Sequence, residues 1–192
     1  AMLCVPALAA GTQRKLPLLA QAAGNATGAG AYVPNPQYTV ISGTVAHQKD
    51  GGLLMSTSTG EPTEDYILWT EGVMILDAVS GEPVDAKSIK DGSTVYAWLG
   101  AQTAVAMSLP PQVTPELLLV NVPADYKVPQ YDVIVRSDGL TGLGIPNRSG
   151  MSVTLSDGTV YQVWQDAQVK PYLTRNRVTY QDLLPGTRLR VR

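Results

Sequence analysis

Short runs in which apolar and polar residues alternate, each ending at a Gly, Pro or Asp turn, recur along the chain from Tyr38 onward. Alternation with a period of two places successive side chains on opposite faces of a β-strand. The clearest case is "MSVTLSDGTVYQVW", where Asp157-Gly158 joins two alternating runs in the manner of a tight hairpin turn. The 18 glycines and 14 prolines supply the turns that many short strands need. The sequence therefore predicts an all-β fold.

The stretch "YTVISGTVA" contains Gly43 inside an alternating run. A glycine within a strand marks a bend or a place where another backbone comes close. We expect one of these two at Gly43.

The second half of the chain repeats a pattern of the first half. Tyr66 and Trp69 recur as Tyr161 and Trp164 at one constant spacing. Further positions recur at a spacing one residue shorter, namely Val84, Ile89, Gly92 and Val95 as Val178, Leu183, Gly186 and Leu189. Residue classes that return in order over about thirty positions indicate a repeated unit. We therefore predict two related small β-barrel or β-sandwich domains in tandem, with an OB-like barrel as one form of the unit.

The predicted segments differ in composition. Residues 1–10, "AMLCVPALAA", are apolar and end in small residues, as the remnant of a signal peptide does. Residues 11–37 are rich in Ala, Gly, Asn and Pro and are predicted to be a flexible tether. The β-domains are expected at residues 38–123 and, as a shortened copy, at 131–192, with a linker at 124–130. The leader predicts a secreted or cell-surface protein, and no stretch has the ~18–20 apolar residues of a membrane span.

Cysteine and histidine occur once each, as Cys4 and His47. An internal disulfide and a Cys/His zinc site are therefore excluded, and no cofactor or metal is expected. His47 lies in "GTVAHQKDGG", where a strand runs into a turn. Without a nucleophile motif it is interpreted as an exposed histidine at a strand end. The net charge of −2 does not provide the positive field of a general nucleic-acid-binding protein.

One strand of each predicted domain has a face that could meet a ligand. In "STVYAWLG", Val95, Ala97 and Leu99 share the apolar face, and Tyr96 and Trp98 share the other. The matching strand of the second domain carries arginines on its second face, at Arg188, Arg190 and Arg192. Aromatic rings can stack on sugars and guanidinium groups can bind anions, so these faces are the predicted ligand sites. Cross-strand pairing or simple solvation of the same side chains is the alternative.

Three stretches resemble a bacterial family: "SGTV", "VMILDAVSGEPVDAKSIKDGSTVYAWLG" and "TAVAMSLPPQVTPELLLVNV". They resemble, in their turns and strand ends, secreted proteins, mostly from Firmicutes, that carry copper-amine-oxidase-like N-terminal domains. The resemblance implies tandem small β-domains of unknown function, and it implies no copper centre, because that accessory domain does not hold the copper. A three-histidine copper site also needs more than one histidine, so amine oxidation is rejected.

We therefore expect a non-catalytic, exported cell-envelope protein that serves as a binding, adhesion or structural β-module. The expected partner is a cell-wall glycan, an anionic wall polymer or another protein. A second hypothesis is a purely structural spacer that presents a partner domain. A hypothesis of a different class is a glycan-directed hydrolase with a carboxylate pair such as Glu64 and Glu71, which requires two carboxyl groups converging in a concave pocket.

Overall fold

A computed structural model describes residues 2–5, 34–57, 64–141, 149–172 and 176–191. The predicted all-β fold is confirmed, since these residues form strands, two short 3₁₀ turns and no α-helix. The chain divides into two compact units. We call Pro36–Asp132 the central unit, and Ala1–Asn35 together with Val133–Arg192 the terminal unit.

The described residues form fourteen strands, numbered in chain order: β1 (Met2–Val5), β2 (Tyr38–His47), β3 (Leu53–Thr57), β4 (Asp65–Leu68), β5 (Met74–Asp77), β6 (Thr94–Gly100), β7 (Val105–Ala106), β8 (Gln112–Val113), β9 (Leu117–Val120), β10 (Gln130–Thr141), β11 (Ser149–Leu155), β12 (Val160–Trp164), β13 (Lys170–Pro171) and β14 (Arg188–Val191). The 3₁₀ turns are Ala86–Ser88 and Tyr180–Asp182.

The central unit is built on one sheet of eight strands in the order β5-β9-β6-β2-β3-β4-β8-β7. Strands β2, β3 and β4 form an antiparallel meander, and β6 pairs with β2 in antiparallel register. One face of the sheet packs into an apolar core that contains the fully buried Met55 and Leu118. Val95 and Ala97 are also fully buried in this core, as the alternation in β6 predicts.

Gly43 lies where β2 passes close to β3. A Cβ atom at this position would stand 2.1 Å from the carbonyl oxygen of Ser56. That distance leaves no room for a side chain, so the close approach predicted at this glycine is confirmed.

The terminal unit contains a sheet of six strands in the order β12-β11-β10-β14-β1-β13. Strands β11 and β12 form the predicted hairpin, in which Gly158 has a φ of 88°. The N–H of Leu155 donates to the carbonyl oxygen of Thr159 at 2.8 Å and closes the turn. The core of this unit contains Ile134, Val153 and Leu189, each at most 1% exposed.

Strand β1 joins the terminal sheet from the beginning of the chain. It runs parallel to β14 and antiparallel to β13. Met2–Val5, predicted to belong to a signal-peptide remnant, is thus a strand of this sheet in the structure. Residues 6–10 and most of the predicted tether, residues 11–33, lie outside the described part of the chain.

Both units contain the same local structure ahead of β6 and β14. A 3₁₀ turn is capped by a side-chain oxygen, from Asp85 or Thr179, that accepts a hydrogen bond from the N–H two residues on. A glycine with positive φ follows in each unit, Gly92 at 78° and Gly186 at 88°. The N–H groups of these glycines donate to strand carbonyl oxygens of Val45 (2.7 Å) and Ile134 (2.8 Å).

Candidate functional site

The aromatic face of β6, predicted to bind a ligand, is covered by other aromatic rings. Trp98 is 3% exposed and Tyr96 is half-buried. The ring of Trp98 meets that of Tyr131 edge-on, with 6.1 Å between the centroids. The ring of Tyr96 lies 6.3 Å from that of Tyr126, which belongs to the predicted linker 124–130. A ring that stacks on a sugar needs an open face, and Trp98 does not offer one.

Hydrogen bonds fix the covering tyrosines. The hydroxyl of Tyr126 donates to the carbonyl oxygen of Ala78 at 3.0 Å. The hydroxyls of Tyr38 and Tyr131 both donate to Oε1 of Glu116, at 3.1 and 3.3 Å. Because the polar ends are satisfied while the ring bodies pack together, these side chains form a second core layer on the sheet. We call this layer the aromatic cluster; it consists of Tyr38, Tyr96, Trp98, Tyr126 and Tyr131.

The three arginines predicted to form a cationic face have different surroundings. Arg188 is exposed at the start of β14, whereas Arg190 has no exposed surface. Arg192 lies outside the described residues. Neighbouring side chains on a strand point to opposite faces, and Leu189 is as fully buried as Arg190. Both faces of β14 are therefore covered at this point, in contrast to the open arginine row that alternation predicts. A binding role for these arginines stays a prediction.

A cleft of about 430 Å³ opens in the terminal unit beside β13. Its volume lies in the range of small-ligand sites. Its floor is made of side chains that pack on the core of the unit: Ala167, Val169, Val178 and Tyr180. Its rim carries polar side chains: Gln165, Gln168, Lys170 and Arg177.

Two turns place the rim residues. After β12 the N–H of Ala167 donates to the last carbonyl oxygen of that strand at 2.9 Å, and this turn leads to Lys170 on β13. On the other side of the cleft, the N–H of Thr179 donates to Oδ2 of Asp182 at 2.7 Å in a capping box. The box fixes the start of the 3₁₀ turn and engages the Asp182 carboxylate there. Arg177 stands two residues ahead of the box.

The cleft is positively charged. Lys170 and Arg177 are both exposed, and its described lining residues include no carboxylate. By sequence, the terminal unit contains ten Lys and Arg and four Asp, a formal charge of +6, and the central unit contains four Lys and twelve Asp and Glu, a formal charge of −8. Among the residues that the structure describes, the terminal unit carries five Lys and Arg and all four Asp. The net charge of −2 is thus the sum of two large opposite charges. The exclusion of nucleic acid stays a prediction.

This arrangement suits an anionic ligand. Ammonium and guanidinium groups donate charge-assisted hydrogen bonds to carboxylates and phosphates, and the amides of Gln165 and Gln168 can donate to neutral oxygens. Sequence reasoning missed Lys170 and Arg177 because no short motif contains them, although a charge count by predicted domain would have pointed to the second domain.

The carboxylates of the hydrolase hypothesis lie elsewhere. Glu64 and Glu71 belong to the central unit and do not line the cleft. Glu64 accepts a hydrogen bond from the Tyr66 hydroxyl at 2.9 Å.

Among the described residues, no group of three or more His, Cys, Asp or Glu side chains is placed to hold a metal ion. The same residues contain no helix long and apolar enough to cross a membrane.

His47 is exposed at the end of β2, as the sequence predicts. Its Nδ1 lies 2.7 Å from Oδ1 of Asp91, and its Nε2 lies 3.3 Å from the carbonyl oxygen of Ala86. Both partners are acceptors, which favours the imidazolium form because only that form donates from both nitrogens. The hydrogen bond to Asp91, assisted by the one to Ala86, raises the pKa of His47, and the same pairing lowers the pKa of Asp91.

Asp91→Asn is expected to lower the pKa of His47 toward its ordinary value, because the strongest acceptor loses its charge. A proton NMR titration measures this directly, since His47 is the only histidine. Because the pKa of His47 is higher in the folded protein, the pairing with Asp91 contributes its full stability below the ordinary histidine pKa of about 6.5. This contribution is lost as pH rises through the pKa of folded His47. At the acid end it is lost as pH falls through the lowered pKa of Asp91.

The matched control is Asp125→Asn, which removes an exposed carboxylate from the same unit and should leave the titration of His47 unchanged. Equal pKa values for His47 in the wild type and in Asp91→Asn would show that the pair does not form in solution.

Comparisons of the chain with protein-family models, with curated proteins and with solved structures find no match. The resemblance to copper-amine-oxidase-like N-terminal domains therefore stays a prediction.

Proposed function

We propose that this protein is an exported, non-catalytic module that binds an anionic polymer of the cell envelope through the cleft of the terminal unit. The supporting observation is that Lys170 and Arg177 stand on the rim of a cleft with an apolar floor and no carboxylate among its described lining residues. By sequence, residues 133–192 contain eight Lys and Arg and four Asp, an excess of positive charge that favours an anionic ligand. Successive anionic groups of a polymer are attracted by such a field.

An anionic polymer fits better than a neutral glycan. Neutral sugars are held largely by open aromatic faces, and the predicted faces of Tyr96 and Trp98 are packed in the aromatic cluster. The rim of the cleft instead combines two cations with two amides. Carboxylate or phosphate groups carried on a polyol or sugar backbone satisfy both kinds of donor.

We also infer that the two units are copies of one β-unit. Three observations support this: both sheets contain an antiparallel meander, the strand orders β4-β3-β2-β6-β9-β5 and β12-β11-β10-β14-β1-β13 correspond, and the same capped turn and glycine precede β6 and β14. The choice of a barrel or sandwich, and of an OB-like form, stays a prediction.

In the central unit, the segments that match the two walls of the cleft are hydrogen bonded to each other. The N–H of Val84 donates to the carbonyl oxygen of Ile75 at 3.0 Å, and the N–H of Asp77 donates to that of Glu82 at 2.9 Å. The matching segments of the terminal unit, as far as the structure describes them, line the cleft.

Replacing both rim cations, Lys170→Gln with Arg177→Gln, is expected to weaken binding of a polyglycerol-phosphate or polyuronate chain by about tenfold, because each exposed charged contact contributes only modestly. Isothermal titration calorimetry at fixed ionic strength measures the affinity. A neutral dextran of similar length serves as the uncharged probe and should bind neither protein.

The matched control is Arg136→Gln with Arg188→Gln, which removes the same charge from exposed positions of the same unit outside the cleft. It should weaken binding less than about threefold, since neither arginine lines the cleft. Equal losses in the two double variants would mean that the cleft is not the site. Failure of the wild type to bind either polyanion would overturn the proposal and favour the structural spacer. Tighter binding of an oligonucleotide than of both wall polymers would move the ligand to nucleic acid.

A further inference from the structure

The hairpin of β7 and β8 ends in an apolar loop that is open to solvent. Strand β7 is the last strand at one edge of the central sheet, and it pairs with β8 in antiparallel register. Residues 107–111 join the two strands, and we call them the apolar tip. Met107 is 103% exposed and Leu109 is 99% exposed, while Val105, just ahead of the tip, is 51% exposed. Three large apolar side chains within five residues form a patch, and such patches mark interaction sites.

The hairpin carries no charge. No Asp, Glu, Lys, Arg or His occurs between Asp91 and Glu116 in the sequence. Neither the two strands nor the tip can therefore contribute an ion pair to a partner. Recognition by this hairpin depends on removing apolar surface from water.

The patch is small for a stable protein interface. Each apolar carbon contributes about 30 Å² of surface, so the three side chains, weighted by their exposure, offer roughly 300 Å². A stable protein interface takes about 800 Å² from each partner and surrounds its apolar centre with a polar rim. A lipid bilayer needs no such rim, and binding to its interface grows with whatever apolar area is inserted.

The backbone of the tip is suited to leaving water. Pro110 and Pro111 have no N–H group, and both of their carbonyl oxygens already accept hydrogen bonds. The Ser108 hydroxyl donates to Pro110 at 2.7 Å, and the N–H of Ile67 donates to Pro111 at 2.9 Å. Since each unpaired polar group is costly in hydrocarbon, these features lower the cost of inserting the tip into lipid.

We propose that the apolar tip inserts into the interface of a lipid bilayer and holds the protein reversibly at a membrane surface. Met107 and Leu109 enter the acyl boundary, and Val105 lies nearer the head groups. The outward backbone groups of the edge strand β7 stay hydrated, which limits insertion to the tip. A loop of five residues is also far too short to cross the ~30 Å hydrocarbon core.

Cosedimentation with phosphatidylcholine vesicles tests the proposal. These vesicles have no net charge, so the cations of the terminal unit gain nothing from them. Met107→Ser with Leu109→Ser is expected to lower the partition coefficient by at least about tenfold, because both inserted side chains become polar. Both residues are exposed, so the urea midpoint of unfolding should not change.

The matched control is Val79→Ser with Val128→Ser, which removes two exposed apolar side chains from the same unit. It should change the partition coefficient by less than about twofold, since neither residue belongs to the hairpin. The cleft variant Lys170→Gln with Arg177→Gln should keep full binding to these vesicles, which separates the tip from the proposed polyanion site.

A fluorescent label reports insertion at the tip itself. Met107→Cys in a Cys4→Ser background has a single thiol, which takes an environment-sensitive dye such as nitrobenzoxadiazole. We expect its emission to rise and shift to shorter wavelength when vesicles are added, whereas the same dye at Val79→Cys should not respond.

Three results would overturn the proposal. One is a wild-type protein that does not sediment with phosphatidylcholine vesicles. Another is an equal loss of binding in the two double serine variants. The third is binding only to vesicles that contain phosphatidylglycerol, with no response of the dye at position 107, because the cations of the terminal unit would then hold the membrane.

Discussion

Replacing Trp98 by alanine is expected to lower the free energy of unfolding by about 3–5 kcal/mol, the usual cost of removing a buried tryptophan. The ring is 3% exposed, and it contacts both Tyr131 and Tyr96 in the aromatic cluster. Its loss leaves a cavity between a rigid sheet and a segment held by tyrosine hydrogen bonds, so little collapse can compensate. Urea unfolding followed by far-UV circular dichroism measures the change.

Met107→Ala is the matched control, because this large apolar side chain of the same unit is fully exposed at 103%. It should change stability by less than about 0.5 kcal/mol. If Trp98→Ala instead keeps wild-type stability but is no longer retained on isolated cell wall, then Trp98 is a ligand contact.

The sequence predicts those parts of the fold that neighbouring residues decide. Gly43 and the Asp157-Gly158 turn are local signals, and the structure places a close strand contact at one and a hairpin at the other. The apolar set of β6, with Val95 and Ala97 in the core, also follows from alternation alone. In each case the cause is a backbone geometry or a pleat that operates within a few residues.

The second face of β6 shows where this reasoning ends. Alternation separates Tyr96 and Trp98 from the core-facing set, but it does not say whether the other face meets solvent. The cover is supplied by Tyr126 and Tyr131, about thirty residues further along, through contacts that no local pattern encodes. Arg190 follows the same rule on β14, where both faces are covered.

The candidate site is non-local as well. Lys170 follows the β11–β12 hairpin, and Arg177 precedes a capped turn, so neither belongs to a motif with a fixed spacing. Strand β1 illustrates a different limit, because a short apolar stretch suits both a targeting segment and a buried strand. Only its pairing with β13 and β14 indicates the second role.

Gly43→Ala is expected to destabilise the protein by at least about 3 kcal/mol, at the upper end of the cost of overpacking. The added Cβ atom would lie 2.1 Å from the carbonyl oxygen and 2.7 Å from the carbonyl carbon of Ser56. Both are backbone atoms, so β3 would have to move and break its pairing with β2 beside Thr57.

Gly139→Ala is the matched control, since a Cβ atom added to this strand glycine would meet no other atom within 4 Å. This substitution should change stability by less than about 1 kcal/mol. Thermal unfolding of both variants decides the matter, and equal transition temperatures would contradict the close β2–β3 contact on which the central sheet depends.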